Sequence, residues 1–354
     1  MRIGIIHPLQ KCKGGGERLS CYLSRYLLEK GHEVTVFSDQ NELAYPETFS
    51  NVKPIVETPK IGTRLMNSRV FGLYGQWIYP FLFDYSKVDL LIDTVGNSLV
   101  HANLNKKVKV FYFHLPLVKK FLNPNARLRQ ELCYYYPRSL FDLISVRARN
   151  GLRYACNSLY IKNLIESYYG IEPEIIRPAV DTGYFVASKK PTEDFVLLTG
   201  RIARFKKFEL ALNYLRNEKV TLAGQLQDAS YCNELREEFP FVHFKADLTD
   251  KELKWLYQNC KTYIFTNWEE HFGIVPFEAM SCERKVIVPE RCGASELIND
   301  GKNGFIVKKD FSDFKEKYDD VANANASIGK SARKTVVDSL AIDVMGKAFE
   351  KLIK

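Results

Sequence analysis

The sequence contains little histidine, no closely spaced cysteine pair and no apolar run long enough to cross a membrane. Its six histidines and eight cysteines are scattered, with no C-x-x-C and no zinc-ligand spacing, which indicates buried thiols in a reducing compartment. The longest apolar and aromatic run covers residues 71–83, fewer than the ~20 residues of a spanning helix. Because the chain opens directly into a strand-like run, we expect no signal peptide and a cytoplasmic location.

The excess of positive over negative charge lies entirely in the first half of the chain. The net charge is +9, and residues 1–180 hold 24 Lys/Arg against 15 Asp/Glu, whereas residues 181–354 hold 27 of each. A basic half suggests an anionic partner such as phospholipid, a lipid pyrophosphate or nucleic acid, with a solvated charged face as the alternative.

Short apolar runs alternate with amphipathic stretches along the whole chain. Residues 2–7 and 33–37 are predicted strands around a helix at 17–30 that Gly31 ends, which is a βαβ unit with parallel strands. Later strands are predicted at 88–92, 108–113, 153–156, 195–199, 220–223, 241–244, 262–265 and 286–288, and helices at 119–150, 206–217 and 339–352. A proline and charge-rich linker lies within 178–194.

This alternation predicts an α/β protein with two doubly wound, Rossmann-like parallel-sheet domains facing a cleft. The first domain is expected at 1–180 and the second at 181–338. Residues 339–354 form a C-terminal helix that could pack back on the first domain.

A glycine turn follows the first predicted strand and opens the first helix. Gly14, Gly15 and Gly16 would let the backbone approach an anion at the helix N-terminus. The run is neither G-x-G-x-x-G nor a P-loop, so we expect no dinucleotide cofactor. A purely structural turn remains the alternative.

A second cluster, in G-R-x4-K-K, follows the strand at 195–199. Arg201 stands just past the strand end, where ligands bind in open α/β sheets, and Lys206 and Lys207 follow in the same loop. Such cations can hold a diphosphate and neutralise its departure. The alternative is a solvated basic loop.

Two glutamates follow the strand at 262–265. Glu270 precedes a predicted helix and Glu278 lies inside it, so each could accept hydrogen bonds from sugar or ribose hydroxyls. Between them, the backbone N–H groups of Gly273, Ile274 and Val275 could meet phosphate oxygens. A carboxylate in the first turns could instead serve only as a partner of the helix dipole.

These motifs together resemble family 4 glycosyltransferases of the GT-B fold. The E-x7-E of Glu270 and Glu278 is similar to the family's signature, and the spacing of Arg201 and Lys206 is similar to its diphosphate site. Further similar segments are the Gly14-Gly15 pair, R-P-A-V-D at 177–181 and G-A-S-E-L-I through G-K-N-G-F at 293–305. The family usually has Lys-Gly where this chain has Lys-Lys, so either lysine could bind phosphate. The G-G-G-E-R and F-H-L-P segments look most like mannosyltransferases that extend dolichol-linked oligosaccharides.

The resemblance implies a retaining, metal-independent transfer of a hexose from a GDP- or UDP-linked sugar, and mannose is the first candidate for that hexose. By carry-over, Arg201 and Lys206 stabilise the leaving diphosphate, Glu278 holds the ribose, and Glu270 holds the sugar. His114, just past the strand at 108–113, would face the sugar, although a structural role is the plain alternative.

The acceptor is expected to be a lipid-linked saccharide or another membrane-proximal molecule. Residues 70–85 are aromatic, and residues 119–153 are basic and aromatic. Together they suit peripheral binding to the cytoplasmic face of a membrane, unless the aromatic side chains fill the core. One alternative is a sugar-nucleotide epimerase of the same fold, which would need more histidines and acids in its cleft. A second is a phosphorylase, which would need a longer chain, and a third is a non-enzymatic protein that binds anionic lipid or nucleic acid. We expect no nucleic-acid partner, because such a binder would not explain carboxylates beside a phosphate loop.

Overall fold

The computed structural model describes residues 1–7, 14–49, 52–59, 78–96, 99–115, 140, 151–189 and 192–354. These divide into two compact units. Unit 1 comprises Met1–Ala179 together with Ile342–Lys354, and unit 2 comprises Val180–Ala341. The predicted helix at 119–150 and most of the aromatic and basic segments lie outside the described residues.

Unit 1 is built on a seven-stranded sheet whose pairings are all parallel, in the order β3-β2-β1-β4-β5-β6-β7. Its strands are β1 Arg2–Ile6, β2 Glu33–Phe37, β3 Ile55–Glu57, β4 Leu90–Asp93, β5 Val108–Phe113, β6 Arg153–Cys156 and β7 Glu174–Ile175. Its described helices are α1 Gly15–Glu29, α2 Leu99–Leu104, α3 Leu159–Tyr169 and α10 Ile342–Ile353.

Unit 2 has a six-stranded sheet, also parallel throughout, in the order β10-β9-β8-β11-β12-β13. Its strands are β8 Val196–Thr199, β9 Val220–Gly224, β10 Val242–Ala246, β11 Thr262–Ile264, β12 Lys285–Pro289 and β13 Phe305–Val307. Its helices are α4 Glu209–Leu212, α5 Ala229–Glu238, α6 Asp250–Asn259, α7 Val275–Ser281, α8 Phe314–Asn323 and α9 Ser327–Leu340.

Both sheets are buried on two faces, as parallel sheets with crossover helices must be. In unit 1, side chains of β1 alternate between two apolar clusters, with Ile3 and Ile5 in one and Ile6 in the other. The last helix, α10, contributes Met345, Phe349 and Leu352 to the first of these clusters. In unit 2, Leu197 and Leu198 likewise face opposite clusters. The two predicted doubly wound parallel sheets are therefore confirmed.

One helix prediction is wrong. The stretch predicted as a helix at 206–217 begins at the end of a 3-10 turn, Arg204–Lys206, and contains only the short α4, because Lys207 takes the left-handed conformation with φ 53°. The last helix, predicted at about 339–352, is present as α10, Ile342–Ile353, and the extended backbone of Ala341 separates it from α9. In the part of the chain that the structure describes, no helix is long and apolar enough to cross a membrane.

The described cysteines are buried and carry free thiols, as the scattered sequence positions predicted for Cys21 and Cys156. Cys133, predicted in the same way, lies outside the described residues.

Candidate functional site

The carboxyl ends of β8 and β11 lie side by side in unit 2, at the point where the strand order reverses. Leu198 of β8 pairs with Ile264 of β11, while β9 continues on one side and β12 on the other. Ligands of open α/β sheets bind at such switch points because the loops leave there in opposite directions. The loops that carry the predicted cations and glutamates begin at these two ends.

Lys206 and Glu270 meet across these loops. The Nζ of Lys206 lies 2.5 Å from Oε2 of Glu270 and donates to it. Lys206 is buried, with 8% of its surface exposed, and its main-chain oxygen accepts a hydrogen bond from Thr266 Oγ1 at 2.5 Å. Burying an ammonium group costs free energy unless the group is paired, so the carboxylate of Glu270 stabilises Lys206 in this buried position.

The carboxylate of Glu270 is held ionised by its neighbours. Burial by itself raises the pKa of Glu270, but the charge and hydrogen bond of Lys206 and a 3.0 Å hydrogen bond from Asn267 Nδ2 outweigh it, and the pKa is lowered. The Glu270 side chain keeps 30% of its surface exposed, so it remains accessible to a ligand. The pair is therefore an ionised, partly open acceptor beside a buried cation.

The loop that carries Glu270 is fixed by close backbone packing. The N–H of Gly293 donates to the carbonyl oxygen of Glu270 at 2.9 Å. A Cβ on Gly293 would lie 2.2 Å from the carbonyl oxygen of His271 and 2.4 Å from Cα of Phe272, so only glycine fits. Gly293 thus supports the glutamate from the loop that follows β12.

The other predicted cations lie differently from Lys206. Lys207 places its Nζ 4.0 Å from the ring centroid of Trp268 and 3.3 Å from a carboxylate oxygen of Glu269. Arg201 is exposed, and its guanidinium lies 5.1 Å from the ring of Phe205. Of the two adjacent lysines, only Lys206 is brought to Glu270.

Glu278 lies in the first turns of α7 and is 2% exposed. Gly273 precedes that helix with φ 75°, and a Cβ there would lie 3.4 Å from Cγ of Glu270. Ile274 is the N-cap residue and Val275 the first helical residue, and both are half-buried. The backbone between the two glutamates therefore passes directly beside Glu270.

In unit 1 the predicted glycines and His114 meet at another switch point, the one between β1 and β4. Gly14 is the N-cap of α1, and Gly15 and Gly16 are its first residues. A Cβ on Gly16 would lie 3.4 Å from Nε2 of His114 and 3.5 Å from Cε1 of His7. The two histidines follow β5 and β1 respectively.

Sequence reasoning missed several residues that hold these sites. His7 and Thr94 stand directly after β1 and β4, and Thr94 contacts both His7 and His114. Their positions at strand ends were a usable signal. Gly293 opens the segment at 293–305 that resembles the family, but its packing against the loop of Glu270 was not indicated by the sequence. Asn267 carried no signal of its hydrogen bond to Glu270, three residues away. Among the described residues, no group of three or more His, Cys, Asp or Glu side chains could hold a metal ion.

The fold is that of the GT-B glycosyltransferases. The chain is similar to sucrose-phosphate synthase from Thermosynechococcus elongatus, with a TM-score of 0.78 and 15% identity, covering 100% of this chain and 98% of that one. It is also similar to HepE from Anabaena in complex with UDP-glucose, with a TM-score of 0.73 and 15% identity, covering 100% and 99%. At 15% sequence identity, the similarity to these two structures shows the fold alone.

Residues 13–184 match the family described as Glycosyltransferase Family 4, and residues 185–335 match the one described as Glycosyl transferases group 1. The chain belongs to family 4 of the glycosyltransferases, which confirms the family predicted from the motifs. Among its relatives is the alpha-1,3/1,6-mannosyltransferase ALG2 of Dictyostelium discoideum, 23% identical, covering 100% of this chain and 98% of the relative. The likeness to mannosyltransferases is thereby confirmed.

Proposed function

We propose that this glycosyltransferase moves a hexose, with mannose as the first candidate, from a nucleotide diphosphate sugar to a lipid-linked saccharide. The observation that carries the proposal is the Lys206–Glu270 pair at the switch point of the unit 2 sheet. It combines a cation for a diphosphate with an ionised carboxylate for sugar hydroxyls. The family, the mannosyltransferase relative and the fold shared with a UDP-glucose complex support it.

In this proposal Lys206 and Arg201 bind the diphosphate and stabilise the charge that grows on it as the glycosidic bond breaks. A fixed, buried ammonium is suited to this because it needs no reorganisation during the reaction. Lys207 is the alternative phosphate ligand, and its present stacking on Trp268 makes it the weaker candidate. The backbone N–H groups of Gly273, Ile274 and Val275 would supply neutral donors beside the same diphosphate.

The glutamates are assigned to hydroxyl groups. Glu270 is ionised and partly exposed, so it can accept hydrogen bonds from the hexose and hold its ring for attack. Glu278 is assigned to the ribose hydroxyls of the nucleotide. In unit 1, His114 is assigned to the sugar, with Gly14, Gly15 and Gly16 supplying close backbone approach for the donor.

Transfer is proposed to proceed with retention and without a divalent cation. The acceptor hydroxyl oxygen bonds to the anomeric carbon on the face from which the diphosphate leaves. The bond from that carbon to the phosphate oxygen breaks, and a phosphate oxygen takes the acceptor's proton. The protein cations supply the charge stabilisation that a metal ion otherwise gives. Determining the anomer of the product, and repeating the assay in EDTA, tests both statements; an inverted product or a loss of turnover in EDTA contradicts them.

The acceptor side is proposed to act at the cytoplasmic face of a membrane, through the basic excess of residues 1–180. Vesicles containing anionic lipid should sediment the protein at low salt and release it at high salt. Vesicles of neutral lipid provide the control. Equal sedimentation with neutral and anionic vesicles, or none with either, contradicts peripheral binding.

The experiment that tests the function is a transfer assay with GDP- and UDP-linked hexoses and a synthetic lipid-linked saccharide. We expect turnover with one donor, mannose in the first instance, and its loss in Lys206→Met. Lys254→Met is the matched control, because Lys254 lies over the ring of Tyr184 and outside the site. Absence of transfer from every donor, or equal activity of the two variants, refutes the proposal.

A further inference from the structure

Phe205 is an exposed aromatic residue in the loop that carries the proposed diphosphate ligands. It stands in the 3-10 turn Arg204–Lys206, which follows β8, and 40% of its surface is exposed. A ring that stays at the surface gives up part of the free energy of burial. It therefore stabilises the core little, and its role follows from the side chains that it contacts.

Two cations lie over the ring of Phe205. The guanidinium of Arg201 lies 5.1 Å from the ring centroid, and the Nζ of Lys206 lies 5.4 Å from it. Both distances are within the ~6 Å over which the negative face of an aromatic ring attracts a cation. The ring thus contacts both side chains that are proposed to bind the diphosphate.

The two cations differ in what else holds them. Lys206 also pairs with Glu270 and lies 5.7 Å from the ring of Phe265. Among the residues that the structure describes, the guanidinium of Arg201 has no ion pair and no hydrogen bond, and the ring of Phe205 is its contact. The position of the Arg201 side chain therefore depends on this ring, whereas that of Lys206 does not.

The backbone on either side of Phe205 is fixed by neighbouring loops. The N–H of Ile202 donates to the carbonyl oxygen of Gln225 at 2.8 Å, in the loop after β9. The carbonyl oxygen of Lys206 accepts from Thr266 Oγ1 at 2.5 Å, in the loop after β11. The turn that carries the ring is therefore anchored on both sides.

The remaining cation of this turn is neutralised. Arg204 donates to Glu234 Oε1, lies 3.9 Å from a carboxylate oxygen of Asp228, and has its guanidinium over the ring of Tyr231. A cation–π contact, by contrast, attracts the guanidinium of Arg201 without bringing an anion to it. Arg201 is thus held in place while its charge and its N–H donors stay available to a phosphate.

We propose that Phe205 is a positioning residue for the diphosphate, whose ring holds the guanidinium of Arg201 without neutralising it. Ordering a long, mobile side chain at the moment of binding costs free energy, and the ring lowers this cost by ordering Arg201 beforehand. This role rests on the proposed function, in which Arg201 binds the diphosphate. Phe205 thereby adds a neutral aromatic ring to a site otherwise made of cations, carboxylates and backbone groups.

Calorimetry with UDP and GDP tests this role. Phe205→Leu keeps an apolar side chain and removes the aromatic face, so the Kd of the nucleoside diphosphate should rise about two- to fivefold, as expected for one exposed cation–π contact. Phe205→Tyr keeps the ring and should restore wild-type binding. Phe244→Leu is the matched control, because the guanidinium of Arg236 lies 5.3 Å from the Phe244 ring in the edge strand β10.

A double-mutant cycle tests whether Phe205 acts through Arg201. In an Arg201→Gln background, Phe205→Leu should change the Kd no more than Phe244→Leu does, because the guanidinium that the ring positions is gone and Glu270 still holds Lys206. The transfer assay gives a second quantity. Phe205→Leu should lower kcat/KM by at least the factor by which it raises the Kd, since the diphosphate gains charge as it leaves.

The outcomes separate this role from the function on which it rests. A Kd in Phe205→Leu equal to that of the wild type, or of Phe244→Leu, overturns the role alone. So does an equal rise of the Kd with and without Arg201, which would mean that the ring contacts the nucleotide itself, for example by stacking on its base. A wild-type protein that binds no nucleoside diphosphate overturns the proposed function and the role of Phe205 together.

Discussion

Removing either partner of the Lys206–Glu270 pair should have opposite effects on nucleotide binding and similar effects on transfer. The perturbations are Lys206→Met and Glu270→Gln, which keep side-chain length and remove one charge each. Without its cation, Glu270 is left with burial as the dominant influence, so its pKa should rise above its ordinary value. Without its carboxylate, Lys206 loses the anion that competes with a bound diphosphate.

The expected changes in stability and in nucleotide binding follow from how far the side chains of Lys206 and Glu270 are buried. Breaking a fully buried pair costs about 3–5 kcal/mol and an exposed pair about 0–1 kcal/mol. With Glu270 30% exposed and Lys206 nearly buried, Lys206→Met should lower the free energy of unfolding by about 2 kcal/mol. One charge-assisted hydrogen bond to a diphosphate is worth about 1.5–3 kcal/mol, so the Kd of the nucleoside diphosphate should rise about 10- to 100-fold.

Transfer should suffer more than binding because the diphosphate gains charge as it leaves. We expect kcat to fall about 100- to 1000-fold in Lys206→Met. Glu270→Gln should bind the nucleoside diphosphate at least as tightly as the wild type, yet transfer about 100-fold more slowly. Calorimetry with GDP and UDP, chemical unfolding and the transfer assay give the three quantities separately.

Two further variants sharpen the test. Lys207→Met decides between the adjacent lysines and should leave the Kd within about threefold of the wild type, because that side chain lies over Trp268. Lys254→Met controls for the loss of one positive charge in the same unit. If Lys206→Met binds the diphosphate normally, or if Glu270→Gln weakens binding as much as Lys206→Met does, the assigned division of roles is wrong.

Three other predictions concern stability. Gly293→Ala should cost about 2 kcal/mol and lower transfer, since the added Cβ would meet the His271 carbonyl oxygen at 2.2 Å; a melting temperature equal to wild type contradicts this. Phe349→Ala, at a fully buried position of α10, should cost about 3–5 kcal/mol in urea unfolding, and a loss below 1 kcal/mol would show that α10 does not stabilise unit 1. Burial raises the pKa of Asp93 to about 6 from its ordinary value of 3.8, so the native chain keeps a proton that the unfolded chain has lost between these values. That contribution is fully present only below the ordinary pKa of 3.8 and is lost as the pH rises through 6. The wild type should therefore lose about 2 kcal/mol more than Asp93→Asn between pH 4 and pH 7.5, and free energies of unfolding that change equally with pH in the two proteins would contradict this.

The fold was predictable wherever the sequence carried a run long enough to show a period. The strands at Glu33–Phe37, Val108–Phe113 and Arg153–Cys156 were predicted with the observed bounds, because each is an apolar, β-branched or aromatic run between breakers. Serine is also a preferred N-cap residue, and at the start of α3 the Oγ of Ser158 accepts from the N–H of Ile161. The strand Glu174–Ile175 was missed because two residues show no alternation.

The candidate site was predictable as a set of residues but not as a set of contacts. Strand ends and glycine turns indicate where a ligand can lie, which suffices to single out the loops that carry Lys206, Lys207 and Glu270. The sequence does not determine which of two adjacent lysines turns inward. That choice depends on Lys207, whose left-handed backbone ends the turn and directs the two side chains apart.

The failed helix prediction and the site have the same physical cause. A continuous helix at 206–217 would carry Lys206 on a regular surface, where it would compete with water for anions. Instead the chain gives up helical hydrogen bonds, and the main-chain oxygen of Lys206 accepts from Thr266, in the loop after β11. The ammonium is thereby buried beside Glu270. A buried cation paired with an internal carboxylate is preorganised for a diphosphate, because the carboxylate neutralises the cation until a more strongly binding anion replaces it. The local helix propensity of this loop is overridden, because contacts with another loop, more than 60 residues away in sequence, set its conformation. No local sequence pattern encodes such contacts.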